Sequence, residues 1–184
     1  MQNCYPPLIE AEQEACPGSP TGTRVELFLD SHCVAGELRY PGPPRRLVDI
    51  LNAVESAIIA LYDGELEGRF HVNEAPHRFP VIHVRRDAIL LAVPRGGPAP
   101  QSSPFEAVAK VPVPATIVLP GFEVTGNVHL PPNADLTLAS LLASGRFIPL
   151  TDATIVAAQQ GGTRRGPIVV VNLARAQVYA PRMP

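Results

Sequence analysis

The chain contains the same series of short motifs twice, in residues 24–95 and again, about 90 positions later, in residues 113–182. Four residues keep their spacing: Leu29, Val34, Gly36 and Pro41 recur as Leu119, Val124, Gly126 and Pro131. The copies also end alike, with matched prolines: Pro80 and Pro167, then Pro94 and Pro181. We therefore predict a tandem duplication of a unit of roughly 70 residues. Because units this small have marginal cores, we expect them to pack on each other or on further copies.

Composition favours a β-rich protein and gives no general attraction to polyanions. The chain has 22 prolines, which suit turns, loops and strand ends but break long helices. Its formal net charge of −2 provides no push toward nucleic acid or an anionic membrane. No apolar run reaches the roughly 18 residues that span a bilayer, and residues 1–18 do not resemble a signal peptide. We expect a cytoplasmic protein with no membrane contact.

The cysteines agree with a reducing compartment. There are three of them, Cys4, Cys16 and Cys33, an odd number without the spacing of a metal site. Cys4 and Cys16 fall in residues 1–22, which lack apolar periodicity and are predicted to form a flexible tail. The first repeat is assigned to 23–95 and the second to 113–184, with a proline-rich linker at 96–112.

Apolar spacing predicts the same order of elements in both repeats: two strands, a short helix and three further strands. Residues 24–30 alternate apolar and polar side chains, which predicts a strand that forms a hairpin with 33–40. Residues 57–62 are apolar and precede Asp63-Gly64, which predicts a buried strand that ends in a turn. A last hairpin is predicted at 81–84 and 88–93.

A helical period interrupts the strands in each repeat. Leu47, Ile50, Leu51 and Val54 follow the i, i+3, i+4, i+7 spacing of an amphipathic helix, predicted over 45–54. In the second repeat the corresponding leucines precede a C-capping glycine: Leu136, Leu138, Leu141, Leu142 and Gly145. We predict that both helices pack their apolar stripe on the sheet as core elements.

A bent antiparallel sheet of about five strands, made from a unit this short, closes most easily as a small barrel. We therefore predict a mainly β protein of two tandem five-stranded barrels, Sm-like or SH3-like in outline. Each barrel carries one short inserted helix after its second strand. Gly36 and Gly126 are expected where the backbone bends or is closely approached, as a barrel corner requires.

The strand motifs resemble those of Sm-like proteins. Val34-Ala-Gly36-Glu-Leu38 is similar to the family's V-x-G-x-L strand. Its following strand, which ends in L-x-D, is similar to Leu61-Tyr-Asp63 and Leu150-Thr-Asp152. The segment from Val84 to Leu91 resembles the closing pair of strands. The resemblance implies barrel geometry over most of each repeat, and the same pattern looks like a class of small uncharacterised bacterial domains.

The loops that bind RNA in the Sm-like family are not matched. The family's Asp followed by Asn is missing from both copies, where the inserted helix takes its place. The second loop is present only as Arg85-Arg86-Asp87, and in the other copy it reads Asn172-Leu173-Ala174. The resemblance therefore implies the geometry of the family and does not imply RNA binding.

We predict no catalytic, metal or cofactor site. Ser31-His32-Cys33 places a nucleophile beside a base, but neighbours on a strand point to opposite faces, and nothing orients the histidine. His71 and His77 share a polar loop with Glu74, where Pro76 prevents helical ligand spacing, and we interpret this loop as exposed. The acidic group of Asp63, Glu65 and Glu67 could pair as in a glycosidase, but we expect it to solvate a hairpin tip.

Three arginine doublets are the candidate nucleic-acid contacts: Arg45 and Arg46, Arg85 and Arg86, Arg164 and Arg165. Their charge is local in an acidic chain with few aromatic residues, so we favour solvated loop charges over a nucleic-acid site.

The favoured function is a non-enzymatic scaffold or protein-interaction module whose partner is itself or another protein. Exposed strand edges invite pairing and are usually protected by lysine, yet the chain has a single lysine, Lys110. We therefore expect a homo-oligomer. One alternative is a nucleic-acid-binding Sm-like protein that uses the arginine doublets. The other is an enzyme, or a ligand- or metal-binding protein, with a site between the repeats built from His71, Glu74 and His77.

Overall fold

The computed structural model describes residues 21–43, 45–53, 56–69, 75–96, 110–158 and 162–182. The predicted tail and linker lie largely outside the described residues, at 1–20 and 97–109. Thr21 and Gly22 of the predicted tail belong to the first strand, and Val111 and Pro112 of the predicted linker belong to the sixth. Each half therefore begins two residues before the predicted boundary.

Five strands and one helix make up the first half. They are β1 Thr21–Phe28, β2 His32–Tyr40, α1 Leu47–Ala53, β3 Ile58–Gly68, β4 His77–Arg85 and β5 Leu91–Pro94. One turn of 3-10 helix, Arg86–Ala88, joins β4 to β5. The helix α1 begins two residues later and ends one residue earlier than its apolar spacing predicts.

The second half has the same order of elements. They are β6 Val111–Leu119, β7 Phe122–Leu130, α2 Leu138–Ser144, β8 Phe147–Ala157, β9 Thr163–Asn172 and β10 Val178–Pro181. The Thr137 hydroxyl caps the start of α2 by accepting from the Ser140 amide, and Gly145 ends it at a φ of 148°. Within the described ranges, neither helix has the length and apolar character needed to cross a membrane.

The ten strands join in one antiparallel sheet, in the order β10-β6-β7-β8-β9-β5-β1-β2-β3-β4. The predicted mainly β class is confirmed. The predicted pair of closed barrels is not observed, because the sheet does not close. The reason lies in β5, which pairs with β1 on one side and with β9 of the other half on its other side. A strand has two sides, so β5 has none left to close the first half on itself.

The halves share their strand register as well as their strand order. Equivalent pairs in the two halves are Leu38 opposite Leu61 and Val128 opposite Leu150. Gly36 and Gly126 both lie at a β-bulge, where the strand bends. A Cβ atom on Gly36 would lie 3.0 Å from the carbonyl oxygen of Tyr62, and one on Gly126 would lie 2.9 Å from that of Thr151. The close backbone approach predicted for these glycines is present in both halves.

Asp63 and Gly64 do not end a strand, which corrects the predicted turn. β3 continues through both residues to Gly68, with Asp63 in the left-handed region at a φ of 48°. Its counterpart Asp152 has a φ of 51° within β8. Aspartate tolerates this conformation better than most residues, so a turn-forming residue here produces a bulge opposite the glycine and the strand goes on.

Two hydrophobic clusters pack on the sheet, one for each half, and each includes side chains from the other half. Leu91 belongs to the cluster of the second half, whereas Phe147 and Val170 belong to that of the first. The helices contribute to these cores, since Leu51 of α1 is 0% exposed and Leu141 of α2 is 2% exposed. Each cluster therefore combines side chains of both halves along the line where β5 meets β9.

Candidate functional site

The inner junction, where β5 pairs with β9, joins the halves. Leu91 lies opposite Val171, and Ala92 opposite Val170. The pairing is extended by Asn172, whose backbone amide donates to the Leu90 carbonyl at 2.9 Å. The Asn172 side chain is fully buried, and its Nδ2 donates to the Ile89 carbonyl at 2.7 Å. A buried amide with these partners fixes the register of the two strands.

A carboxylate from β1 lies beside the inner junction and binds an arginine from each half. The Glu26 side chain is 9% exposed and accepts from Arg95 at 2.7 Å and from Arg164. The Cys33 thiol also donates to it at 3.3 Å. Burial alone raises the pKa of Glu26, but the two arginines outweigh burial and hold the pKa below its usual value. Glu26 is thus a charged group that ties β1 to β9.

Two further polar contacts hold the halves together on either side of the inner junction. Asn52 of α1 exchanges two hydrogen bonds with the Phe147 backbone, at 2.8 and 3.0 Å. Arg69 follows β3 and donates to the carbonyls of Asp30 at 2.9 Å and Gly121 at 3.3 Å. Its guanidinium also lies 3.7 Å from the ring centroid of Phe122 in the second half. The Asn52 bonds place α1 against the start of β8, and Arg69 joins the first half to the turn between β6 and β7.

The two ends of the sheet form the outer edges, meaning the sides of β4 and β10 that face away from β3 and β6. Within the described part of the chain, each of these strands has one neighbour. Among the described residues, seven large apolar side chains are exposed: Ile58, Phe79, Val81, Val111, Leu142, Val156 and Val178. Three of them lie on the outer strands, since Phe79 and Val81 belong to β4 and Val178 to β10. Exposed apolar side chains on strands with one unpaired side mark a surface suited to strand addition.

The three arginine doublets do not come together, and each has an arginine paired with a carboxylate. In each doublet, one arginine binds a carboxylate: Arg46 with Asp49, Arg85 with Asp87, and Arg164 with Glu26. The second arginine of each doublet is Arg45, Arg86 or Arg165, and Arg45 and Arg165 are exposed.

The doublets also lie on separate elements. Arg85 ends β4 at one end of the sheet, whereas Arg164 and Arg165 lie near the start of β9, five places away in the strand order. Arg45 precedes α1 and donates its backbone amide to the Tyr40 hydroxyl at 3.2 Å. The fold therefore builds three separate charge pairs where a nucleic-acid site would need a continuous basic surface.

The serine and histidine of Ser31-His32-Cys33 do meet, contrary to our expectation. Ser31 precedes β2 and its hydroxyl lies 2.8 Å from Nδ1 of His32, both exposed at the end of the hairpin. The alternation of faces along a strand does not apply to Ser31, because this residue lies in the bend. Cys33 is a poor nucleophile, because burial and the nearby Glu26 carboxylate raise the pKa of its thiol.

The other candidate sites gain little from the fold. His71 and Glu74 lie outside the described residues, and His77 is exposed at the first position of β4. The described ranges contain no group of three or more His, Cys, Asp or Glu side chains that could hold a metal ion. Asp63, Glu65 and Glu67 lie along β3, which corrects the predicted hairpin tip.

Two depressions in the described part of the chain each lie within one half. Of the two main depressions in the described part of the chain, one is lined by first-half residues, including Glu65 and Arg78. The other is lined by second-half residues, including Asn127 and Asp152. Neither of these two depressions lies between the repeats, where the alternative site is predicted.

Glu26, Arg69 and Asn172 join the halves, and sequence reasoning missed all three. Alternation along the first strand predicts a solvent-facing side chain at Glu26. Asn172 lies in the segment that corresponds to the second loop of the Sm-like family. The one sequence signal for this contact was Arg95, the partner of Glu26, which recurs as Arg182 after the matched proline. The chain matches no protein-family model, no curated protein and no solved structure.

Proposed function

We propose that the chain is a non-enzymatic scaffold, a protein-interaction module to which other chains add at its outer edges. The observation that carries this proposal is the exposure of apolar side chains on strands with a single neighbour, Phe79 and Val81 on β4 and Val178 on β10. Extended segments bind exposed sheet edges through backbone hydrogen bonds, and alternate side chains supply specificity.

The outer edges carry no lysine, and the proline of each outer strand, Pro80 or Pro181, is the counterpart of a proline that lies beyond the residues paired at the inner junction. Lysine on an edge strand discourages pairing, and the one lysine of the chain, Lys110, precedes β6 and lies on neither outer strand. On β4, Arg78 pairs with Glu65 of the neighbouring strand at 3.1 Å. This contact binds Arg78 to the chain's own sheet.

We further propose that the two halves arose by tandem duplication of one small unit. Their equal strand order, equal register and matched bulges at Gly36 and Gly126 support this origin. Each single unit would have two unpaired strand edges. Joining two units pairs one edge of each and leaves a longer sheet that again has two unpaired edges.

The test uses particles captured from cells that naturally make the protein. A tagged wild-type chain should be captured in a particle heavier than its own 19.7 kDa, as measured by native mass spectrometry. The double variant Val81→Lys/Val178→Lys should be captured alone, because a lysine on each outer strand opposes strand addition. Val156→Lys is the control, since Val156 is 37% exposed on β8, which pairs on both sides.

A wild-type chain captured alone would contradict the scaffold proposal. A heavy particle that is unchanged in the double variant would contradict the role of the outer edges. Nucleic acid in the particle, lost steeply as salt is raised, would instead favour the nucleic-acid alternative.

A further inference from the structure

We infer that the partner at the outer edges is a second copy of this chain, with β4 of one copy pairing with β10 of the next as β9 pairs with β5 inside the chain. This inference rests on the proposed function and adds the identity and register of the partner. The inner junction supplies the template, because β4 is the counterpart of β9 and β10 is the counterpart of β5 in the repeated strand order.

The exposed apolar side chains at the outer edges match residues that the inner junction buries. Val178 is 47% exposed, and its counterpart Leu91 is 0% exposed. Both residues begin the last strand of their half and pair with an equivalent residue, Phe28 or Val118. Leu91 is buried because it contacts the core of the other half, and Val178 has the same orientation with no core to contact.

The other side of the contact shows the same difference. Ile58, the first residue of β3, is 51% exposed, whereas its counterpart Phe147, the first residue of β8, is 1% exposed. Phe147 is covered by the first half, where it shares a cluster with Leu51 of α1. The fifth residue of each helix is Leu51 in α1 and Leu142 in α2, and Leu142 is 40% exposed.

These matches predict which residues meet between copies. If α2 of one copy covers the start of β3 in the next, as α1 covers β8, Leu142 contacts Ile58 of the second copy. Val178 then enters the first-half core of that copy. Val81 completes the set, since it is 36% exposed and its counterpart Ile168 packs against the first-half cluster. One pairing therefore covers four of the seven exposed large apolar side chains: Ile58, Val81, Leu142 and Val178.

The register follows from the inner pairs. Leu91 opposite Val171 becomes Val178 opposite Val84, and Ala92 opposite Val170 becomes Tyr179 opposite His83. The Tyr179 hydroxyl is the one buried side-chain polar atom of the described residues without a hydrogen-bond partner. A second copy would place the His83 ring on the same face, directly across the strand pair from Tyr179.

The contact is head to tail, because two different surfaces meet. Contacts of this kind form a ring when the rotation between copies closes and a filament when it does not. Either outcome uses both outer edges of every internal copy. A symmetric dimer, by contrast, would pair β4 with β4 or β10 with β10, and would leave the other edge of each copy open.

The experiment uses the purified full-length chain and three matched valine-to-lysine variants. Val81→Lys blocks the β4 edge, Val178→Lys blocks the β10 edge, and Val156→Lys is the control on an inner strand. Light scattering after size-exclusion chromatography gives the mass over a hundredfold range of concentration. We expect wild type and Val156→Lys to form particles of more than two copies, and each edge variant alone to have the mass of one chain, 19.7 kDa.

The decisive sample is a mixture of the two edge variants. The Val81→Lys chain keeps its β10 edge and the Val178→Lys chain keeps its β4 edge, so one native contact can form and no more. The mixture should therefore contain a particle of two chains, with one of each variant. Circular dichroism of each variant checks that the fold is retained, and Ile58→Lys and Leu142→Lys block the same two surfaces at independent positions.

Three results would overturn the inference. They are a wild-type chain of 19.7 kDa at every concentration, an edge variant that still dimerises by itself, and a mixture without a two-chain particle. Failure here with a heavy particle captured from cells would leave the scaffold proposal standing with a different protein as partner. A chain captured alone from cells would contradict both the scaffold proposal and the inference that its partner is a second copy.

Discussion

Leu91 and Val178 hold the same place in the two halves, yet Leu91 is fully buried in the inner junction and Val178 is 47% exposed at an outer edge. The inner junction also has polar contacts that the outer edges lack. Glu26 and Arg164 correspond to Thr116 and His77, which cannot form an ion pair. The comparison shows a contact reinforced by an ion pair beside an equivalent surface that lacks this ion pair. Such a surface suits reversible assembly.

The largest expected difference between the two regions concerns this pair of residues. Leu91→Asp should lower the free energy of unfolding by at least about 3 kcal/mol, because it places an unpaired charge in a dry core. Val178→Asp should change it by less than about 0.5 kcal/mol in dilute protein, where the side chain stays in water. Urea denaturation followed by circular dichroism measures both values. Equal losses would contradict the difference in packing between the inner junction and the outer edge.

Arg69 offers a second test of the contact between halves. Arg69→Ala removes the hydrogen bonds to the Asp30 and Gly121 carbonyls and the stacking on Phe122, so we expect a loss of about 2 kcal/mol. The thermal midpoint should fall by about 4–8 °C in a chain of this size. Arg78→Ala is the control, because the Arg78 side chain is 81% exposed in its ion pair and should matter little. An unchanged midpoint for Arg69→Ala would show that Arg69 does not stabilise the contact between the halves.

The equivalence of the halves can be tested away from the inner junction, at the two bulges. Gly36→Ala and Gly126→Ala should each destabilise by about 1–2 kcal/mol, because the added methyl group would lie 3.0 and 2.9 Å from a backbone oxygen. Gly162→Ala, with no atom within 4 Å of the added carbon, should be neutral or slightly stabilising. Chemical denaturation gives the three values. A loss confined to one half would break the equivalence on which the comparison rests.

The smallest expected effect concerns the ion pairs of Glu26. Glu26→Gln should cost about 1 kcal/mol at pH 7, since both of its arginines remain partly solvated. Because the pKa of Glu26 is lower in the folded chain than its ordinary value of 4.5, its stabilisation is complete above that value. It is lost as the pH falls through the folded pKa.

The pH dependence provides the matched measurement for Glu26. Stability should fall on acidification below about pH 5, and the slope should be smaller in Glu26→Gln than in wild type. Glu37→Gln is the control, because the Glu37 side chain is 38% exposed in its ion pair with Arg39. Denaturation midpoints from pH 7 to pH 3 would show the difference. Identical slopes for wild type and Glu26→Gln would mean that Glu26 is not charged in the way its partners indicate.

Local patterns in the sequence predicted the elements but not their assembly. Alternation predicted β1 and β2, and helical spacing predicted α1 to within two residues, because both depend on neighbours along the chain. The pairing of Leu91 with Val171 joins residues 80 positions apart and leaves no periodic signal. The sequence therefore predicted two separate closed units, whereas the pairing of β5 with β9 produces one open sheet.

The candidate site was predictable in part for the same reason. The shortage of lysine indicated unprotected strand edges, but which strands lie outermost depends on the pairing of β5 with β9. Asp63 was misread as a turn because its left-handed conformation serves turns and bulges alike. Glu26 was missed because its partner Arg164 comes from the other half.

Amide hydrogen exchange of the wild-type chain at low and high concentration tests the central claim most directly. If copies join head to tail, the amides of β4 and β10 should become protected together as concentration rises, because both strands gain a second neighbour. Amides of β7, which pairs on both sides within the chain, should exchange at the same rate throughout. Exchange in β4 and β10 that does not change with concentration, or protection of one of them alone, would contradict the account.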